Sequence, residues 1–214
     1  MKALLLVNGE LYEPDVARRR IRDEAFDLVV GVDGGARYAK TLNVMVDAVV
    51  GDMDSLSDPE QHGLSHCEFV SYPAEKDESD LELALLYARN RGIDRIVMVG
   101  AMGGRMETTI ANILLLGHAS LTSCRIEVWH GEQTGWAVKP PGEEIAGHPG
   151  DTLSLIPLDG YASGVTTKGL KYPLKDEGLP LGSTRGLSNV MDGPLAHVGL
   201  AQGLLLVVHT PGRA

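Results

Sequence analysis

The chain is short of cysteine, of positive charge and of long apolar runs, and each shortage removes a class of protein. Cys67 and Cys124 are the only two cysteines in 214 residues. They form no CxxC pair and cannot supply the disulfide framework of a small secreted domain, so a reducing cytoplasm is the expected setting. Lys and Arg total 19 against 29 Asp and Glu, a net charge of −10. No basic field is therefore present for a nucleic-acid backbone or an anionic membrane surface. No stretch approaches the roughly 18 consecutive apolar residues needed to span a bilayer. The opening Met1-Lys2-Ala3-Leu4-Leu5-Leu6-Val7 lacks a small-residue cleavage site and reads as a first buried strand. Neither a Gly-x-Ser-x-Gly elbow nor a Walker loop occurs, so serine-hydrolase and P-loop kinase readings lose their main support.

What is present is enough apolar sequence for packed cores, 43% of the chain. Up to about residue 130, short apolar runs alternate with helical patterns, which predicts a mostly parallel sheet flanked by helices, an α/β domain of Rossmann-like type. Strands are expected over residues 3–7, 28–32, 48–51, 68–71, 95–100 and 125–129. Leu81, Ala84, Leu85 and Ala88 recur at helical spacing behind a Ser79/Glu82 capping box. A second helix is expected over 106–117, carrying Ile110, Ile113, Leu114 and Leu116 onto the sheet. Residues 131–150 contain Lys139-Pro140-Pro141-Gly142 and His148-Pro149-Gly150, turn and linker chemistry that puts a domain boundary near 130. Beyond it, segments 152–156, 164–168, 183–189 and 204–209 are rich in Gly, Thr and Val and predict a C-terminal antiparallel β-sandwich or barrel. The expected domains are thus 1–130 and 131–214.

Three acidic groups fall where predicted strands end or a helix begins, the places where open α/β sheets bind ligands. Gly31-Val32-Asp33-Gly34-Gly35 follows the second strand and leaves Asp33 facing the crevice. Asp52 and Asp54, in Val50-Gly51-Asp52-Met53-Asp54-Ser55, sit two apart in extended chain and so on one side. Lys76-Asp77-Glu78-Ser79-Asp80 opens the long helix with further oxygen ligands. Each piece also has a plain reading: Asp-Gly-Gly as a turn, Asp52 and Asp54 as a solvated loop, Asp77, Ser79 and Asp80 as caps. Their joint placement favours a cradle for a hard divalent ion, and an acidic protein that binds a polyphosphate must import positive charge, most simply as Mg²⁺. Gly103-Gly104-Arg105, after the fifth strand, adds a guanidinium able to grip two phosphate oxygens. His62 and His66 lie in an expected surface loop without a closed set at structural-zinc spacing.

Taken in order, Asp33-Gly34-Gly35-Ala36, Gly51-Asp52-Met53-Asp54-Ser55, Lys76-Asp77-Glu78-Ser79-Asp80, Gly103-Gly104-Arg105 with Ala111-Asn112, Val165-Thr166-Thr167-Lys168-Gly169-Leu170-Lys171-Tyr172 and Ser188-Asn189 resemble the thiamine pyrophosphokinase (thiamine diphosphokinase) family. The resemblance implies an N-terminal domain that binds Mg²⁺-ATP, a C-terminal β-sandwich that helps bind thiamine, and a homodimer sharing its active sites. It implies diphosphate transfer from ATP to the thiamine hydroxyl, with AMP released. By similarity, Asp52, Asp54 and Asp80 would hold Mg²⁺, and Asp33 would position or activate the acceptor. Arg105 would bind phosphate, Tyr172 would stack on thiamine, and Ser188 with Asn189 would contact its pyrimidine. Gly34, Ser55, Lys76, Asp77, Ser79, Gly104 and Asn112 complete the implied substrate-binding and catalytic set. One departure stands out: after Gly-Gly-Arg many relatives carry Asp, often followed by His or Gln, where this chain has Met106-Glu107-Thr108. That difference bears on nucleotide contacts more than on reaction class. Two alternatives remain open, a diphosphokinase acting on another heteroaromatic alcohol such as a hydroxymethylpterin, and a nucleotide- or thiamine-binding module without catalysis.

Overall fold

The structure, a computed structural model, describes residues 1–52, 64 and 66–212. Asp54, Ser55 and His62 lie outside the described residues. The chain divides into two compact units, Met1–Gly131 and Glu132–Ala214.

In the first unit the apolar runs become β1 (Lys2–Leu6), β2 (Leu28–Val32), β3 (Ala48–Gly51), β4 (Glu68–Ser71), β5 (Arg95–Val99) and β6 (Arg125–His130). They pair in the order β6-β5-β1-β2-β3-β4, and every one of these pairings is parallel. Ala3, Leu4, Leu5 and Leu6 are all fully buried, as a central parallel strand covered on both faces requires. The helices are α1 (Pro14–Arg22), α2 (Tyr38–Leu42), α3 (Asp80–Asn90) and α4 (Met106–Leu114). Ser79 caps α3, its Oγ accepting from the Glu82 amide at 3.2 Å, while Leu81, Ala84, Leu85 and Ala88 are buried.

The second predicted helix needs correction. Helical geometry stops at Leu114 and tightens into a 3-10 turn, Leu115–Gly117. Ile110 and Leu114, expected on the sheet, are exposed; Ile113 is half-buried and Leu116 is buried. The helix instead turns Asn112 inward, where its amide donates to the Ala101 carbonyl at 2.8 Å, so a polar anchor rather than an apolar stripe sets its rotation.

The second unit holds β7 (Gln133–Val138), β8 (Gly142–Ala146), β9 (Thr152–Pro157), β10 (Tyr161–Lys168), β11 (Glu177–Pro180), β12 (Asn189–Val190), β13 (Leu195–Gly199) and β14 (Leu205–Thr210). They form two antiparallel layers, β12-β9-β14-β7 and β11-β10-β13-β8. Alternate side chains such as Leu153, Leu155, Val165, Val198, Leu205 and Val207 share one apolar core, the inward half of a period-two pattern. Residues 131–150, read as linker, contain β7 and β8 around the Pro140-Pro141 turn. Of the segment 183–189 only Asn189 is in a strand. Among the described residues no helix is long and apolar enough to cross a membrane.

At the amino ends of β1, β5 and β6, charge rather than apolar packing ties the first unit together. Arg95 donates to both Glu24 oxygens at 2.7 and 3.2 Å and to both Glu127 oxygens at 3.1 and 2.9 Å. Lys2 adds a bond to Glu24 at 3.1 Å, and Arg125 one to Glu127 at 3.0 Å. Burial pushes both carboxyls up, but the arginine and lysine contacts outweigh it, and both end below the usual glutamate value of 4.5. A depressed carboxyl stabilises the fold above its unfolded pKa and loses that contribution as the pH falls through the folded one. Arg95→Met should therefore cost roughly 3 kcal/mol at neutral pH. The deficit should shrink below about pH 4.5 in urea melts of the two proteins, and a deficit independent of pH would remove the ion pairs as its cause.

Candidate functional site

The sheet order contains a reversal. From β1 the chain builds outward through β2, β3 and β4, then β5 returns to the other side of β1. Helices diverge at such a switch, and the loops leaving the two central strands open a crevice at their carboxyl ends. A cleft of about 570 Å³ lies there, bordered by Asn8 and Gly9 after β1, Asp33 after β2, Asp52 after β3 and Gly103-Gly104-Arg105 after β5. Lys76, Ser79 and Asp80 at the head of α3, and Thr108 and Asn112 on α4, complete the border.

One carboxylate oxygen each from Asp33, Asp52 and Asp80 lies within 4.8 Å of the other two. Asp33 is held in an uncommon way. It begins a 3-10 turn, Asp33–Arg37, with φ of 47°, a left-handed conformation that aspartate tolerates better than most residues. The turn folds back so closely that a β-carbon on Gly35 would lie 2.1 Å from the Leu6 carbonyl oxygen, so only glycine fits and the sequence Asp-Gly-Gly has a steric cause. Asp33 is 7% exposed, and its buried Oδ1 has no hydrogen-bond partner among the described residues. Its Oδ2 accepts from Asn8 Nδ2 at 3.3 Å. A strained backbone carrying an orphaned buried carboxylate oxygen marks a group placed for something other than stability. Three clustered carboxylates are also the oxygen donor set a hard divalent ion takes, so these residues fit Mg²⁺.

Positive charge is close by. Lys76 Nζ lies 2.5 Å from Asp80 Oδ1 and its side chain is largely buried. Arg105 stands at the N-cap of α4 with an exposed side chain 3.2 Å from Glu107, so the Glu107 that departs from the usual pattern rests against the phosphate-binding candidate. Asn112 borders the cleft but spends its amide on Ala101. Two expected contact residues fall off the border: Asp77 is exposed outside it, and Gly34 is buried with its carbonyl accepting from Arg37 at 3.1 Å.

The remaining expected residues belong to the second unit and form one local group. Tyr172 is exposed, and the Asn189 amide brackets its backbone, Oδ1 accepting from the Tyr172 N–H at 3.0 Å and Nδ2 donating to its carbonyl at 2.7 Å. Ser188 adopts φ of 53°, and its N–H donates to Ser154 Oγ at 3.0 Å. Asn189 is thus a fastener for the tyrosine loop.

Comparison with known proteins decides the family. Residues 23–128 match the model for the thiamin pyrophosphokinase catalytic domain, and residues 141–205 that for the thiamin pyrophosphokinase vitamin B1 binding domain. The chain is 30% identical over 187 residues to the thiamine pyrophosphokinase of Bacillus subtilis (strain 168), covering 86% of this chain and 87% of that protein. It belongs to the thiamin pyrophosphokinase family. The crystal structure of the Bacillus subtilis enzyme matches with a TM-score of 0.86 at 25% identity over 99% of both chains. That of the Geobacillus thermodenitrificans protein matches with a TM-score of 0.82 at 24% identity, covering 98% of this chain and 97% of that one, and shares the fold.

Asn8, which borders the cleft, and Arg37, which bonds to it, escaped the sequence reading. Asn8 had a usable signal, since it follows the first strand directly and the switch-point rule draws attention to that position. Arg37 had none, because its contact with Asn8 spans 29 positions of sequence. Two unpaired carboxylates 4.8 Å apart would repel by roughly 3.5 kcal/mol at an effective dielectric of 20, and Lys76 beside Asp80 offsets part of the repulsion in this cluster. Asp33→Asn keeps the left-handed backbone and removes one charge. It should raise metal-free stability by about 1 kcal/mol after allowing for solvent screening. Thermal melts in EDTA should show the gain and melts in Mg²⁺ should erase it, whereas equal melts in EDTA would mean the three groups do not repel.

Proposed function

We propose that the Asp33, Asp52 and Asp80 cluster is the Mg²⁺-ATP end of the active site through which this thiamin pyrophosphokinase transfers the diphosphate of ATP to the hydroxyl of thiamine. The observation that carries the reading is the convergence of three carboxylates at the sheet's switch point, one of them with an orphaned buried oxygen. Asp52 and Asp80 would hold the ion with Asp33 as the third donor, and Asp54, two residues beyond Asp52, is proposed as a further ligand. When bound, Mg²⁺ offsets the repulsion among these groups and neutralises phosphate oxygens. Residues 1–130 act as the Mg²⁺-ATP domain and residues 131–214 as the thiamine-binding domain.

In the transfer, the thiamine hydroxyl oxygen bonds to the β-phosphorus of ATP as the bond from that phosphorus to the α-phosphate oxygen breaks. AMP leaves with the bridging oxygen, and the hydroxyl proton passes to solvent water. The chain's own contribution is alignment and charge placement. Asp33 orients the acceptor. Arg105 would grip phosphate oxygens as a two-pronged donor, and Lys76, beside Asp80 at the cleft border, would supply a second positive charge. Ser79 and the start of α3 place a helix N-terminus, favourable to anions, at the cleft border. Tyr172, an exposed ring on a loop fastened by Asn189, offers a face to the thiazolium cation, with Ser188 and Asn189 beside it.

A homodimer is part of the proposal. Met106, Ile110 and Leu114 are exposed in successive turns of α4, an apolar stripe that a second copy would cover. The setting is the cytoplasm, in keeping with unpaired thiols at Cys67 and Cys124.

Incubation with Mg²⁺-ATP and either thiamine or a hydroxymethylpterin, read by mass spectrometry, should yield AMP and thiamine diphosphate. Product from the pterin alone would reassign the acceptor, and binding without AMP would indicate a non-catalytic module. Asp80→Asn should lower kcat by at least about 100-fold. Tyr172→Ala should chiefly raise KM for thiamine, and an equal rise for ATP would refute its role. Ile110→Glu should convert the dimer to a monomer in light scattering; an unchanged dimer would place the interface elsewhere.

A further inference from the structure

Asn8 borders the cleft but belongs to none of the acidic or phosphate-binding groups, and its amide makes two contacts of opposite sense. Oδ1 accepts a short hydrogen bond from Arg37 Nη1, and Nδ2 donates to Asp33 Oδ2 at 3.3 Å. A guanidinium can only donate, so it dictates which end of the amide faces it. The NH₂ group is thereby left towards Asp33, and a carboxylate can only accept. The orientation of Asn8 is thus determined from both sides by hydrogen-bond polarity.

Arg37 is itself immobilised. The same Nη1 donates to the Gly34 carbonyl at 3.1 Å and Nη2 to the Tyr38 hydroxyl at 2.9 Å, with the guanidinium 4.6 Å from the centre of the Tyr38 ring. The Tyr38 hydroxyl in turn donates to the Gly9 carbonyl at 2.5 Å. Gly34 makes room for the arrangement, since a β-carbon there would lie 2.9 Å from Asn8 Nδ2 and 3.0 Å from Oδ1. These contacts link the loop after β1 to the turn after β2, the two segments that flank the crevice.

We propose that Asn8, oriented by Arg37, is a positioning residue for Asp33: it anchors Oδ2 and thereby leaves Oδ1 as the oxygen presented at the carboxylate cluster. The proposal rests on the reading of Asp33 as a member of the metal and acceptor site. It explains why one oxygen of this buried group is bonded and the other is not. Without the anchor, the carboxylate can rotate about its terminal torsion, a broad and soft degree of freedom, and the oxygen aimed at the site is no longer fixed. A misplacement of that kind in a transfer driven by alignment lowers turnover more than substrate binding.

The test uses Asn8→Ala, Arg37→Met, the double variant and Asp33→Asn in the full chain, with steady-state kinetics, thermal melts and Mn²⁺ binding followed by electron paramagnetic resonance. Asn8→Ala should lower kcat by about 10- to 100-fold. KM for ATP and for thiamine should stay within about twofold, and Mn²⁺ binding should weaken several-fold. Arg37→Met should show a smaller loss of the same kind, and the double variant should be no worse than Asn8→Ala, because the two residues act in series. Asn8→Ser, which keeps a small donor, should recover part of kcat and supplies the comparison if the alanine variant melts early. Unchanged kcat in folded Asn8→Ala and Asn8→Ser, or losses that multiply in the double variant, would overturn the proposal. If Asp33→Asn abolishes turnover while Asn8→Ala is silent, only the positioning role fails; if Asp33→Asn itself keeps full turnover, the reading of the site fails with it.

Discussion

Like charges held together against their repulsion are the constraint on which the site depends. Asp33, Asp52 and Asp80 come from two strand ends and a helix start, and the parallel sheet brings their oxygens within 4.8 Å of one another in a chain of net charge −10. Nothing in the packing of the first unit needs this. Its core is apolar on both faces of β1, and the network of Arg95 with Glu24 and Glu127 lies at the amino ends of the strands. The Arg95 network lies at one end of the sheet, and the clustered carboxylates, with Lys76 beside Asp80, lie at the other. That division suits the proposed role of the carboxylates as the place where a cation and a polyphosphate bind.

The connection from sequence to this arrangement is steric before it is electrostatic. Gly35 is required because the turn after β2 passes against the Leu6 carbonyl, and that close passage holds Asp33 in a left-handed conformation with one oxygen buried and unpartnered. Ser79 starts α3 by capping it, which places Asp80 at the helix head beside Lys76. Each local device has an ordinary structural purpose. Their convergence is a property of the sheet order, in which β5 crosses back to the far side of β1.

Much of this was legible in the sequence because the signals were local. Short apolar runs bounded by turn residues identified all six strands of the first unit, and a serine followed three residues later by glutamate identified the start of α3. What failed depended on tertiary context. α4 carries apolar residues at helical spacing, but buried Asn112 sets its rotation and leaves Ile110 and Leu114 exposed. Residues 131–150 read as linker because Pro and Gly dominate their turns, while the strands between those turns are short and half polar. Asp33, Asp52 and Asp80 were visible as carboxylates at strand ends, yet the sequence kept Asp33 apart from the metal ligands, and the distances group it with them. Asn8 and Arg37 act through a contact that no periodicity encodes.

The family relationship to thiamin pyrophosphokinases supplies the reaction, and the proposed role of the carboxylate cluster is to let an acidic chain carry it out. The most direct measurement is the anomalous scattering of Mn²⁺ in crystals grown with a non-hydrolysable ATP analogue. The account predicts a peak within coordination distance of Asp33, Asp52 and Asp80, adjoining the analogue's phosphates. A fully occupied metal peak bound by other residues, with those three carboxylates turned away from it, would contradict it.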